Sequence, residues 1–494
     1  MNIKPRWMCR VVASTCWLLA AWLLVCWGSQ LRADEQAAEQ RVLRAGAATS
    51  NITPFIGENI VGGFSPAPSK NIHDELQARC LVLDDGKTRL AIVVCDNLHI
   101  SREICDEAKR LAHAATGLAI DHILLAATHT HSGPSAGGNP IPEAEGAYSK
   151  LLVRRISDGL VRAMSHLEPA RIGWGVGSVP GQVFNRRWRM KSLTHLGNPF
   201  GGVDQVRMNP PAGSPDLLEP AGPTDPEVAF LSVQAKDGRP IALLANYSLH
   251  YVGGVGGADN SADYFAVFAD RIQQLLNADR LDPPFVGIMS NGTSGDINNI
   301  NFRNPRGRQP PYEQMRRVAD EVAAEVLRVQ QTIKFHDWVP LGIVQRELKL
   351  ATRRPSAELI ERAKKLVSGE LKPVHKLDEA YARRTLAMAE GPAEVTIVLQ
   401  ALRIGDVGIA TSPFETFAET GLEIKARSPW HPTFTIELAN GSYGYLPTPE
   451  QHRLGGYETW LGTNRVEEQA SRKITDLLLS MLDELKRADK DAGK

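Results

Sequence analysis

The apolar positions of this chain fall in short runs separated by segments of helical period. The runs are "ARCLVL" (78–83), "RLAIVVCD" (89–96), "HILLAAT" (122–128), "VAFLSVQA" (228–235), "PIALLANYSLH" (240–250) and "FVGIMSN" (285–291). Several are apolar at nearly every position, the pattern of strands buried on both faces. Between them, apolar residues recur at helical spacing over 101–116, 145–166, 263–278 and 312–331. This alternation predicts an α/β class, a mixed sheet layered with helices. Strand-like runs return at 394–411 and in "TFTIELA" (433–439), and the amphipathic segment 464–487 predicts a closing helix. Two stretches break the pattern. Residues 176–226 are rich in Gly, Pro and Asn without a period, and a loop of that length is uncommon unless it is functional. Residues 355–391 are charged and helical and read as a surface insertion in a domain spanning 43–487. No repeat, heptad or low-complexity tract is apparent along the chain.

Composition narrows the function classes. The 494 residues are enough for a large core, and Lys plus Arg (56) balances Asp plus Glu (56). A zero balance offers no electrostatic reason to expect nucleic acid as a partner. Residues 1–33 differ from the rest: Lys4, Arg6 and Arg10 precede an apolar run from Val11 to Gly28. That layout is a secretory signal ending near Ala33, or an anchor if it is not cleaved. The expectation is a secreted or periplasmic protein, or one held at a membrane by this segment. Cys80, Cys95 and Cys105 remain beyond it, an odd number that describes no disulfide framework, and Cys95 reads as a small buried hydrophobe.

Candidate chemistry sits directly after the buried runs. "LLAATHTHSGP" (124–134) ends with His129 and His131 one residue apart. Residues two apart on a strand share a face, so both imidazoles would look into one space with Thr130 turned away. His250 ends another run before a glycine-rich loop, Asp296 and Asn298 lie in the turn of "GIMSNGTSGDINNIN", Glu415 follows Pro413, and Tyr445 and Tyr457 lie among later turn residues. Active sites of α/β proteins gather loops from several strands at one sheet edge. Plainer readings stand beside these. A lone histidine serves equally as a hydrogen-bonded core residue, Glu415 as a cap of a helix starting near residue 414, and the tyrosines as packing. "NGT" at 291 and "NGS" at 440 also match glycosylation sequons. No H-E-x-x-H and no G-x-S-x-G is present, so neither a zincin helix nor a serine-hydrolase elbow explains the histidines.

Taken together, "ATHTHSGP", "ANYSLH", "NGTSGDIN" and "LANGSYGYLPTPEQ…GGYE" resemble the neutral (non-lysosomal) ceramidase family. "RAGAATSNITP" and "IHDELQARCLVLDD" are similar to the start of that family's catalytic domain, and the resemblance runs from about residue 43 to the C-terminus. It implies a zinc-dependent amidase whose Zn2+ ligands are His129, His250, Glu415 and Tyr445. It implies His131 as the acid–base or oxyanion-stabilising group, Tyr457 as a further active-site tyrosine, and Arg186 of "VFNRR" as a residue holding the substrate's polar group. Zinc takes such nitrogen and oxygen ligands and leaves a position for water. The implied substrate is a small amphipathic N-acyl amide, ceramide by default, met as a soluble molecule or at a membrane surface.

Two departures qualify the implied substrate. The family loop reads G-D-V-S-P-N, whereas this chain has Gly295-Asp296-Ile297-Asn298-Asn299, placing Asn298 where the family has serine, as an active-site residue whose amide is expected to contact a polar substrate. The family's C-terminal β-sandwich also has no counterpart in this sequence. Two other readings therefore stay open: a zinc hydrolase of another N-acyl or ester compound, and a secreted binding protein that retains the pocket without catalysis.

Overall fold

The computed structural model describes residues 41–63, 66–136, 146–192, 196–307 and 309–492, so the signal or anchor segment lies outside the described residues. One order of elements, βββαβα, occurs three times. The first module is β1 (Arg44–Asn51), β2 (Gln77–Asp84), β3 (Arg89–Cys95), α1 (Arg102–Thr116), β4 (Ile123–Ala127) and α2 (Ala147–Ser165). The second is β5 (Glu168–Ser178), β6 (Glu227–Ala235), β7 (Pro240–Tyr247), α3 (Asp263–Leu275), β8 (Val286–Asn291) and α4 (Glu313–Gln330). The third starts with β9 (Leu341–Ala351), an inserted helix pair α5 (Ala357–Ser368) and α6 (Asp378–Glu390), β10 (Glu394–Ile404) and β11 (Val407–Ser412). It continues through α7 (Ala418–Arg427), β12 (Thr433–Glu437), the short α8 (Pro449–Leu454) and α9 (Ala470–Ala492). In every module three strands form an antiparallel meander, and a helical crossover returns the fourth parallel to the third.

Modules one and two share an eight-stranded sheet in the order β8-β7-β6-β5-β1-β2-β3-β4. At its seam, Arg44 pairs with Pro169 and Ala45 with Glu168. So short a ladder lets the halves splay and curl, and the far edges approach: Asn291 Nδ2 after β8 donates to Thr128 O after β4 at 3.4 Å. Module three forms a four-stranded sheet, β9-β10-β11-β12, packed face to face on the first. Its last strand and the residue after it reach both ends of that sheet: Ala127 N of β4 donates to Leu438 O at 3.1 Å, and Asn246 Nδ2 of β7 donates to Thr435 O at 3.1 Å.

The layering explains the unbroken apolar runs. Leu81, Leu83, Ile92 and Val94 meet Leu402, Ile404, Ile409 and Phe434 between the sheets. Their alternates Cys80, Val82, Val93 and Cys95 face α1 and α2, and Leu243, Ala245 and Tyr247 face α3 and α4. The outer face of the second sheet packs on α7 and α9 through Ile424, Ile474 and Leu478. A strand between two apolar layers has no polar face, so the period-2 signal vanishes. The three cysteines are buried and unbridged, Cys95 among them as a core residue.

The sequence reading saw no repeat, and the strands it did not anticipate are β1, β5 and β9, the first of every module. β1 is mostly Ala and Gly because helix backbone presses on it: a Cβ at Gly46 would lie 2.2 Å from Ala163 O. β5 carries glycines under α4, where a Cβ at Gly175 would lie 2.7 Å from Val329 Cγ1. Small residues chosen for close approach have little strand propensity of their own. β9 alternates with a partly exposed face.

The first connection of each module (52–76, 179–226 and 352–393) varies in content. In an antiparallel meander the first and third strands run the same way. These connections therefore leave from the edge where the parallel pairs end.

Phe434 bridges the two sheets and is 1% exposed. Phe434→Ala is expected to lower unfolding free energy by roughly 3–5 kcal/mol, read as a fall in the urea midpoint at unchanged slope.

Candidate metal centre

β4 ends at Ala127, before the histidines. His129 adopts a left-handed conformation, φ 69°, so a turn rather than a shared strand face brings the imidazoles together. His129 N donates to Asn97 O at 3.0 Å, and Thr130 Oγ1 turns away to Ser261 O at 2.6 Å. The Nε2 atoms of His129 and His131 lie 3.1 Å apart with ring planes at 87°. His250 follows β7 and places its Nε2 3.0 Å from that of His129. Glu415 follows β11, and its Oε2 lies 3.3 Å from His129 Nε2 and 3.5 Å from His250 Nε2. It does not cap α7, whose N-cap is Phe417; it forms a short parallel pair with Tyr445–Leu446.

Hydrogen bonding on the far sides of the rings fixes what these atoms are. His129 Nδ1 meets Leu98 O at 2.8 Å and His250 Nδ1 meets Ser294 O at 3.1 Å. A carbonyl oxygen only accepts, so both Nδ1 atoms carry the proton and both Nε2 atoms present lone pairs. Glu415 Oε2 is buried and has no hydrogen-bond partner among the described residues. His129 Nε2, His250 Nε2 and Glu415 Oε2 thus converge on one point, an arrangement suited to a cation. Tetrahedral zinc with bonds near 2.0–2.1 Å separates its ligands by ~3.3 Å, and the separations here are 3.0, 3.3 and 3.5 Å. The residues fit a metal ion, and among the described residues His129, His131 and His250 form the group able to hold one.

Burial pushes the His131 and His250 pKa values well below 6.5, and His129 and Arg186 push the same way. Burial works to raise the Glu415 carboxyl, but His129, the Tyr445 hydroxyl and Arg186 outweigh it and hold it below its ordinary value. The pocket therefore presents neutral His131 and His250 imidazoles and an ionised Glu415 carboxylate, states suited to metal ligation.

Tyr445 is buried, and its hydroxyl bonds to Glu415 and accepts from Arg186 Nη2 at 3.0 Å. Burial raises its pKa well above 10. The Tyr457 ring stands 5.8 Å from that of Tyr445. Asn298 is buried nearby but engaged elsewhere: Nδ2 donates to Asn209 Oδ1 at 2.7 Å, and Oδ1 accepts from Ile300 N at 2.9 Å. Its strand pairs with Phe184–Asn185, directly before Arg186.

Two acidic residues that organise the site escaped the sequence reading. Glu458 is fully buried and accepts from Arg186 Nε at 2.9 Å and Arg187 Nη1 at 2.7 Å. Glu437 is fully buried and accepts from Ser294 Oγ at 2.7 Å and Thr416 N at 2.8 Å, fixing the backbone beside both His250 and Glu415. Glu437 ends the strand Thr433–Glu437 directly before Leu438 and Ala439, and a carboxylate at that place is the local signal it leaves; Glu458, in the turn after Tyr457, leaves none. Asn291 and Asn440 of the two sequons are fully buried, so neither is open to glycosylation in the folded chain.

Beside Tyr457 lies a pocket of about 300 Å³. Its walls come from the first connection of module two, through Arg207, the first connection of module three, through His375 and Lys376, and Trp460.

No family model matches the chain. Among solved structures, its fold is similar to that of the neutral ceramidase from Pseudomonas aeruginosa, with a TM-score of 0.64 and 19% identity over 91% of this chain and 75% of that one. It is also similar to a ceramidase complexed with C2, with a TM-score of 0.66 and 18% identity over 91% of this chain and 76% of that one. The likeness establishes a shared fold, the mixed α/β architecture of those ceramidase structures.

Because His131 and His250 are held neutral in the fold, the unfolded chain binds more protons as pH falls through 6.5. Stability of the metal-free protein is accordingly full above that value and lost below it. Urea midpoints in chelator at pH 7.5 and 5.5 are expected to show this loss, and a smaller one in His250→Gln; an identical slope in the variant refutes the assignment.

Proposed function

We propose that this chain is a zinc-dependent amide hydrolase that cleaves an N-acyl amide to a carboxylic acid and an amine, with ceramide as the reference substrate. The observation that carries the reading is the convergence of the His129 and His250 Nε2 lone pairs with Glu415 Oε2 at 3.0–3.5 Å. It is supported by a fold shared with ceramidases. His129, His250 and Glu415 hold the ion, with the Tyr445 hydroxyl oxygen beside them. Bound there, zinc supplies a Lewis acid for the amide carbonyl and lowers the pKa of a water towards ~7.

The other residues bind, orient and move protons. His131 is half-buried and stacked on Tyr251 at 3.7 Å, on the open side of the group. Its neutral ring takes up the proton that the attacking water releases and passes it to the departing nitrogen as the C–N bond breaks. Arg186, locked by Glu458, and Tyr457 supply donors to the carbonyl oxygen as it gains charge. Asn298 anchors the strand that carries Arg186 rather than meeting substrate.

Metal content and turnover of N-acylsphingosines separate these roles. His129→Ala and His250→Ala are expected to lose stoichiometric zinc. His131→Ala is expected to keep zinc and fold while turnover falls on the order of a hundredfold or more. Loss of zinc in His131→Ala instead makes it a ligand.

Substrate size is a separate question. A pocket of about 300 Å³ is at the small end of ligand sites (~300–1,000 Å³). In mixed micelles, N-dodecanoylethanolamine, with its compact amine portion, is expected to show higher kcat/KM than N-dodecanoylsphingosine. A strong preference for the sphingosine amide shows that the pocket does not limit the substrate.

A further inference from the structure

The pocket beside Tyr457 contains a charge without a partner. Arg207 lies on the short strand Val206–Met208, paired opposite Trp188, and lines the pocket wall half-buried. Among the described residues its guanidinium makes no ion pair, side-chain hydrogen bond or ring contact. The acidic side chain of the same pocket, Asp204, is already engaged: Oδ1 accepts from Asn198 Nδ2 at 2.9 Å and Oδ2 from Trp460 Nε1 at 2.8 Å. Lys376, at the tip of the helical insertion, adds a second unpaired cation on the exposed side.

A half-buried guanidinium has lost part of its hydration, and a guanidinium keeps its charge at every accessible pH. The buried arginines of the neighbouring site, Arg186 and Arg187, both meet Glu458. Half-buried Arg207 meets no carboxylate among the described residues and lies where a ligand can reach it. Its planar fork suits the two oxygens of a carboxylate, or those of a sulfonate or phosphate. The ring walls of Tyr457 and Trp460 and the small volume suit a compact head rather than an extended acyl chain.

We propose that this pocket binds an anionic group on the amine portion of the substrate, with Arg207 as its partner and Lys376 at the mouth. The preferred substrate is then an N-acyl amide with a negatively charged head, such as an N-acyl amino acid, rather than neutral ceramide. The substrate class rests on the amidase reading; the anion site rests on the pocket alone.

Non-hydrolysable dodecyl ureas with a carboxymethyl, a sulfoethyl or a hydroxyethyl head test the site by calorimetry on the zinc-loaded full chain. The anionic heads are expected to bind more tightly than the hydroxyethyl head by roughly ten- to a hundredfold, the worth of a charge-assisted contact. That ratio is expected to collapse towards one in Arg207→Gln and to return in part in Arg207→Lys, with unfolding midpoints confirming that both variants fold. The carboxymethyl and sulfoethyl arms tell a carboxylate from a sulfonate preference. Equal affinity of anionic and neutral heads for the parent overturns the proposal, as does a ratio unchanged by Arg207→Gln. A head preference accompanied by no turnover of N-dodecanoylglycine or N-dodecanoylethanolamine supports the anion site and defeats only the amidase reading.

Discussion

Two backbone carbonyls decide the chemistry of this molecule. Leu98 O and Ser294 O take the Nδ1 protons of His129 and His250, which leaves both Nε2 lone pairs aimed at the same point. Glu415 Oε2 joins them there as a further acceptor. Converging atoms of this kind are the donor set that a cation takes as ligands. The carbonyls are in turn held by the fold. Leu98 N donates to Pro134 O, and the Ser294 hydroxyl and amide both donate to Glu437. Both imidazoles are thus oriented by contacts on the far side of the ring, the outer contacts that a metal ligand uses.

The threefold βββαβα order explains why the ligands come from distant stretches of chain. In each module the parallel third and fourth strands end at the same edge, and their following turns carry the chemistry. Third strands lead into Leu98-His99, Leu249-His250 and Phe414-Glu415; fourth strands lead into "THTHSG", "NGTSG" and "NGSYG". The sequon matches therefore fall at corresponding strand ends of two modules. Since the first connection of each module opens at that same edge, variation there surrounds the centre without touching the sheets. Gly62 of the first connection backs on His131, Arg186 belongs to the second, and the helical insertion belongs to the third. Such a plan lets the rim of the pocket change while the donors stay fixed.

A buried charged layer supports the rim. Glu458 sits between Arg186 and Arg187, and Asp296 takes Ala418 N and Asn185 Nδ2, its carboxyl pushed up to about 7 chiefly by burial. Charges this deep are stable only when every member is paired. The layer therefore behaves as one unit that fixes Arg186 relative to Tyr445.

The sequence by itself determined the α/β class, the strands with two buried faces, and the strand-end histidines, glutamate and tyrosines, because burial and loop chemistry leave local marks. Motif order was enough to point to the ceramidase resemblance that the fold then matched. What only the tertiary structure decided lies in relations between modules. The repeat was hidden because its first strands are built from small or partly exposed residues, selected by the helices above them or by solvent on an outer face. The left-handed turn at His129, the tautomers set by Leu98 and Ser294, and the pairing of Glu458 depend on atoms brought from far along the chain. The curl that joins the two sheet edges depends on a two-residue seam, Arg44–Ala45 against Glu168–Pro169, whose shortness no local pattern expresses. The isolation of Arg207 among the described residues is of the same kind, since the absence of a partner is a property of three-dimensional surroundings.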